Sequence, residues 1–149
     1  MLRFAFATSA LATLAMAGGF TFTIGNPVAA QTPQAKSAAF AFRTEGCADP
    51  AKSQITATAE GIVGGARRSV VLKVAAVQRP GVYVIYETWG NEGRWVVVLK
   101  GECEHETAGA IVPIGSKGFI RESSKFFPRP ATGPEIDASL KTLVEGESK

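Results

Sequence analysis

Histidine, cysteine and methionine, the usual ligands of transition metals, are scarce in this chain. Its 149 residues include two cysteines, one histidine and two methionines, and the methionines are Met1 and Met16. No nucleophile elbow, zinc-protease helix or phosphate-binding loop frames the serines and carboxylates that are present. The sequence therefore predicts a protein that is not an enzyme and that uses no cofactor.

The charged fraction, 19%, is that of an ordinary globular protein, and strong clustering of charge is lacking. The chain has 16 Lys and Arg residues against 13 Asp and Glu, a formal net charge of +3. A nucleic-acid surface needs grouped basic residues, and here only Arg67 and Arg68 are adjacent. We therefore expect no nucleic-acid partner. The Arg67–Arg68 pair either binds an anion or acidic protein surface, or is simply solvated at a turn.

The first thirty residues have the composition of an export signal. Arg3 is their only charged residue, and residues 4–24 are almost continuously apolar. A Gly-Asn-Pro sequence ends this run, and the small residues at 28–30 suit a signal-peptidase site. We predict cleavage after Ala30, which gives a secreted or periplasmic protein without a membrane span. The alternative is an uncleaved anchor, since about 20 apolar residues can cross a bilayer.

After a flexible lead-in at residues 31–37, the sequence predicts one domain over residues 38–149. Apolar runs separated by turn residues predict six strands. They lie at residues 39–43, 54–63, 69–77, 82–89, 94–99 and 108–114. Glycine or proline in the intervening turns predicts hairpins, and hence antiparallel pairing. Alternation assigns Trp95, Val97 and Leu99 to the core, and half-apolar sheets of this kind pack as a mainly β sandwich.

The end of the chain changes to helical periodicity. Thr132 is a candidate N-cap, and Glu135 follows it by three residues, as in a capping box. A short C-terminal helix is predicted at residues 134–145. Its apolar stripe consists of Ile136, Leu140 and Leu143.

The stretch "PGVYVIYETWGNEGRWVVVL" resembles a hairpin of small exported immunoglobulin-like domains, of the YtkA-like and periplasmic copper-handling type. The resemblance covers residues 79–99 and implies an antiparallel immunoglobulin-like β-sandwich. The copper-binding members use His and Met ligands. Beyond the predicted leader, this chain has one histidine and no methionine. The chain as a whole also resembles small exported bacterial proteins of unknown function.

The two cysteines support two exclusive hypotheses. Export to an oxidising compartment favours a disulfide between Cys47 and Cys103, which by loop-closure entropy would be worth about 4 kcal/mol. Alternatively, Cys103 and His105 share one face of "GECEHET" if that segment is extended, and bind Zn or Cu. A structural site needs about four protein ligands, and only these two are evident.

Phe126 and Phe127, in "RESSKFFPRP", are candidate partner-binding residues if both rings are exposed. The alternative is that one ring packs beneath its own loop. The primary functional hypothesis is an exported, non-catalytic binding or structural module, with an unknown macromolecular or cell-envelope partner. A metal-binding module using Cys103 and His105 is the alternative, and an enzyme of unknown class is the third hypothesis.

Overall fold

The computed structural model describes residues 19–27, 37–77 and 79–147. Within them the strands are β1 (Thr21–Gly25), β2 (Phe40–Glu45), β3 (Gln54–Val63), β4 (Ala66–Leu72), β5 (Val74–Ala76), β6 (Val82–Ile85), β7 (Arg94–Cys103), β8 (Glu106–Gly115), β9 (Gly118–Phe119) and β10 (Lys125–Phe127). Helix α1 (Gly133–Glu147) follows, and short 3-10 turns lie at Pro50–Lys52 and Arg121–Ser123. The predicted cleavage position after Ala30 and most of the predicted lead-in lie outside the described residues.

The strands form two antiparallel sheets. Sheet A has four strands in the order β1-β2-β6-β5, and sheet B has the order β10-β8-β7-β3-β4, with β9 added beside β8. Apolar side chains from both sheets meet in one core. The prediction of a mainly β sandwich with a C-terminal helix is confirmed. Among the described residues, no helix combines the length and apolar character needed to cross a membrane.

The inner face of sheet B is the one that alternation predicts. Trp95, Val97 and Leu99 are buried between the sheets. Further along β7, Gly101 leaves room for two aromatic rings, because a Cβ there would lie 2.7 Å from the ring of Phe22 and 2.8 Å from that of Phe20. A side chain at this position would therefore push sheet A away from sheet B.

Helix α1 covers the outer face of sheet B. Val96 and Ile111 are fully buried there, in one cluster with Leu140 and Leu143 of the helix. The backbone N–H of Thr132 donates a 2.8 Å hydrogen bond to the Glu135 carboxylate, which is one half of a capping box. The predicted helix and its apolar stripe are confirmed, and the part of sheet B beneath the helix is apolar.

The predicted hairpin over residues 81–99 is wrong. Strand β6 belongs to sheet A and β7 to sheet B, so the two do not pair. The segment between them carries the chain across the sandwich, with Trp89 buried at the end of the core and positive φ values at Gly90 and Gly93. The chain also changes sheets at Lys73, which divides the predicted strand at residues 69–77 into β4 and β5.

The fold includes a strand before residue 38, where the sequence predicts the start of the domain. Strand β1 lies within the predicted leader and pairs with β2 from Thr21 opposite Glu45 to Gly25 opposite Ala41. Phe22 and Ile24 of this strand, and Phe20 just before it, are 4%, 1% and 3% exposed. Apolar residues alternate with threonine over residues 20–24, which is a strand pattern. Because threonine is only weakly polar, this segment is hard to distinguish from the apolar leader that precedes it.

Candidate anion-binding pocket

The predicted disulfide is present and connects the two sheets. Cys47 follows β2 of sheet A and Cys103 ends β7 of sheet B, and their Cα atoms are 5.9 Å apart. The Cys103 side is buried in the core. The bond therefore fixes one end of the sandwich, and its role in the fold is structural.

The segment of the candidate metal site is a turn and not an extended strand. Glu104 has a φ of 56°, and His105 is exposed beside it between β7 and β8. The Cys103 sulfur is bonded to Cys47, so the oxidised protein has no thiolate there to offer a metal. In the described part of the chain, no group of three or more His, Cys, Asp or Glu side chains is placed to hold a metal ion.

Arg67 and Arg68 point to different regions and do not form a joint site. Arg67 lies 3.7 Å from the Glu60 carboxylate and donates a hydrogen bond to Asp137, so it links β4 to helix α1. Arg68 lines a cavity at the end of the core beside Trp89 and Trp95. The charge of Arg67 is already compensated within the fold.

The two phenylalanines of β10 differ in burial. Phe127 packs in the cluster beneath α1, with the Arg129 guanidinium 5.1 Å from its ring centre. Phe126 is 45% exposed, and both residues border a shallow depression beside Gly19 and Phe20. Phe126 is therefore the more accessible of the two candidate contact residues.

A different set of basic residues converges on one cavity, which we call the arginine pocket. Arg43, Arg79 and Arg121 line this space of about 270 Å³. Its remaining walls are Thr23, Ile24, Gly25, Asn26, Ala41, Phe42 and Val82. None of these described lining residues is acidic. The pocket therefore combines cationic side chains with a partly apolar wall provided by β1, β2 and β6.

Separate elements position the three guanidinium groups. Arg43 extends from β2, and its Nη2 lies 2.8 Å from the Glu45 carboxylate. Arg79 precedes the Pro-Gly corner before β6, which is anchored to β2 by a 2.9 Å hydrogen bond from Thr44 N–H to the Gly81 carbonyl. Backbone hydrogen bonds between β2 and β6 and at this corner thus place both residues at the same end of sheet A.

Arg121 reaches the pocket from the other sheet. It begins the 3-10 turn after β9, and the backbone N–H of the preceding Ile120 donates a 2.8 Å hydrogen bond to Pro113 of β8. Its Nη2 donates a 2.8 Å hydrogen bond to the Ile24 carbonyl of β1. In the described part of the chain, neither Arg79 nor Arg121 has a carboxylate within ion-pair distance.

This arrangement suits the binding of an oxyanion. Glu45 offsets Arg43, but Arg79 and Arg121 keep uncompensated positive charges at the same cavity. A guanidinium presents several N–H donors in a planar fork, which matches the oxygens of carboxylate and phosphate groups. The sequence did not indicate this site, because its arginines are far apart in the chain and only the folded sheets bring them together.

A second cavity, of about 510 Å³, lies between the C-terminal part of α1 and the 3-10 turn after β9. Its wall includes the hydroxyl of Ser139, a residue 3% exposed whose Oγ has no hydrogen-bond partner among the residues that the structure describes. Glu122 and Lys125 line it together, so it carries no excess of one charge. The arginine pocket has the more specific chemistry of the two.

No protein-family model, curated protein or solved structure matches this chain. The resemblance of residues 79–99 to exported immunoglobulin-like domains therefore stays a prediction. What the protein binds has to be inferred from the chemistry of its own residues.

Proposed function

We propose that this chain is an exported, non-catalytic binding protein that recognises an oxyanionic group through the arginine pocket. The observation that carries the proposal is the convergence of Arg43, Arg79 and Arg121 on one cavity without an acidic lining residue. The ligand class is a molecule with a phosphate or carboxylate group next to a small apolar portion. Such groups occur on cell-envelope polymers and on extracellular macromolecules.

Two features support export. The first residues have the composition of a leader, and the protein contains a Cys47–Cys103 disulfide. Disulfides persist in the periplasm and outside the cell, whereas the cytosol keeps most thiols reduced. A secreted or periplasmic location is therefore part of the proposal.

The alternatives receive no comparable support from geometry. A metal module using Cys103 and His105 requires reduction of the disulfide, and His105 lies on an exposed turn. The same exposure gives His105 no enclosed site in which to act as a general base. A binding role needs only the arginine pocket in its present conformation.

Titration with inorganic phosphate, followed by amide chemical shifts in NMR spectra, tests the proposal. We expect saturable shifts at Gly25, Asn26 and Ala41, which line the arginine pocket. An Arg79→Gln change should weaken binding about tenfold, the effect of losing one charge-assisted hydrogen bond. Acetate titrated in parallel distinguishes a carboxylate preference from a phosphate preference.

The matched control is Arg68→Gln, because Arg68 lines a separate cavity and is not part of the arginine pocket. It should leave phosphate binding unchanged. Shifts of the same size in sodium chloride at equal ionic strength would contradict the proposal, since they would show only screening of surface charge. Equal weakening by both variants would contradict it as well.

A further inference from the structure

The buried position of β1 determines which part of the N-terminal region can be removed during export. Phe20, Phe22 and Ile24 are each at least 96% buried. The rings of Phe22 and Phe42 meet edge to face with centres 5.6 Å apart, which connects β1 to β2 within the core. An exported chain that lost these residues would have to fold without one edge of sheet A.

Contacts beyond the core also tie β1 to sheet B. The backbone N–H of Phe20 donates a 3.2 Å hydrogen bond to the Glu106 carboxylate at the start of β8. The carbonyl of Ile24 accepts the hydrogen bond from Arg121. Removal of β1 would leave the Arg121 guanidinium without this partner and would remove a wall of the arginine pocket.

The sequence contains a second cleavage motif that spares β1. Residues 15–17 read Ala-Met-Ala, which places small side chains at positions −3 and −1 of a cut between Ala17 and Gly18. The apolar stretch before this motif, residues 4–14, has the length of a signal-peptide core, about 7–15 residues. A cut after Ala30 requires an apolar core that runs through the buried strand.

We infer that a leader peptidase cleaves this chain between Ala17 and Gly18, so that the mature protein begins at Gly18 and keeps β1. In this step, water adds to the carbonyl carbon of Ala17 and the peptide C–N bond breaks. The leader leaves with a carboxylate at Ala17, and the mature chain gains an amino group at Gly18. The inference rests on the proposed export but does not depend on anion binding.

The test is to express the full chain with its own leader in a bacterial host, and to recover protein from the periplasm. Intact mass and N-terminal sequencing should give a chain that starts at Gly18. A start at Gln31 would overturn the inference and leave export standing. An uncleaved chain in the cytoplasm would overturn both, so the two failures are distinguishable.

Paired variants locate the cut independently. Ala17→Phe should block processing, because a large residue at position −1 is not accepted, and the precursor should accumulate at the membrane. The matched control Ala30→Phe should be processed normally and still begin at Gly18. The opposite result, with Ala30→Phe blocked and Ala17→Phe processed, would overturn the assignment.

A folding measurement checks the structural premise. Chains that start at Gly18 or at Gln31 can be exported behind the same unrelated leader and compared in urea. We expect cooperative unfolding for the Gly18 chain and none for the Gln31 chain, because the latter lacks three core side chains and an edge strand. Equal cooperative unfolding of both chains would contradict the inference.

Discussion

The Arg121 guanidinium donates a 2.8 Å hydrogen bond to the main-chain carbonyl of Ile24, a residue 97 positions earlier in the chain. This bond joins the 3-10 turn between β9 and β10 of sheet B to the edge strand of sheet A. It also holds the Arg121 side chain against the wall of the arginine pocket. One contact thus serves the packing of β1 and the placement of a candidate ligand-binding group.

Replacing Arg121 with glutamine should affect both roles. We expect the free energy of unfolding to fall by about 1 kcal/mol, because a hydrogen bond from a charged donor is lost. Phosphate affinity should fall as well, which NMR titration would measure beside urea denaturation. Unchanged stability together with unchanged affinity would show that Arg121 has neither role.

The close packing of Gly61 against Trp95 predicts a large effect for a small change. A Cβ at Gly61 would overlap the indole ring of Trp95, which is buried in the core. Gly61→Ala should therefore lower the free energy of unfolding by about 1–3 kcal/mol. Gly133→Ala is the control, because a Cβ there meets nothing within 4 Å. Similar urea midpoints for the two variants would contradict this prediction.

Loss of the disulfide should destabilise the protein without changing its fold. Cys47 and Cys103 are 56 positions apart in the chain. In the chain-entropy model, a cross-link over this distance restricts the unfolded chain and stabilises the folded state by about 4 kcal/mol. We expect a loss of about 2–4 kcal/mol for the double Cys→Ala variant in urea denaturation. Reduction of the unmodified protein should give a similar result. A loss below about 1 kcal/mol would show that the sandwich does not depend on this link.

The ion pair at the start of α1 predicts an acid-sensitive contribution to stability. Hydrogen bonds from Arg129, 2.6 and 3.0 Å long, and from the Thr132 N–H lower the pKa of Glu135 from 4.5 to about 2. Since the folded pKa lies below the unfolded one, the contribution is present above about pH 4.5 and is lost as the pH falls towards 2. NMR titration of the Glu135 carboxyl carbon measures this directly.

An Arg129→Met change should raise the pKa of Glu135 towards 4.5, since it removes the largest cause of the shift. Helix stability should then vary less between pH 4.5 and 2 than in the unmodified protein. Arg68→Met serves as the control and should leave the Glu135 titration unchanged. A Glu135 pKa that stays near 2 in the Arg129 variant would contradict the assigned cause.

The neighbouring rings of β10 predict opposite outcomes for the same substitution. Phe127→Ala should lower the free energy of unfolding by about 2 kcal/mol. This is less than the loss for a fully buried ring, because Phe127 is half-buried beneath α1. Phe126→Ala should cost less than about 1 kcal/mol, since its ring is 45% exposed. Thermal or urea denaturation of the pair measures the difference. Equal losses would mean that Phe126 packs as firmly as Phe127.

Much of the fold is encoded in local patterns and was predictable for that reason. The alternation of Trp95, Val97 and Leu99 fixed the inner face of β7, and the Gly-Gly turn between β3 and β4 fixed a hairpin. Thr132 and Glu135 marked the helix start, as the hydrogen bond between them confirms. Each of these features depends on residues close together in the chain.

The errors arose where tertiary arrangement decides the outcome. Glycines at residues 90–93 permit a hairpin turn, but burial of Trp89 and the sandwich geometry send β7 to the other sheet. Strand β1 shares its apolar composition with the leader, and only its partners show that it belongs to the fold. The arginine pocket is a product of these long-range pairings, so no short sequence window contains it.

The changes of sheet at Lys73 and between β6 and β7 have a consequence for folding kinetics. Neither sheet is made from one continuous stretch of chain, since sheet A takes β1, β2, β5 and β6 while β3 and β4 go to sheet B. Contacts between distant segments slow folding, because those segments must meet first. Sheet A cannot be completed before β6 has been synthesised. If the chain is exported as we propose, this delay would help to keep it open for threading through a translocation channel.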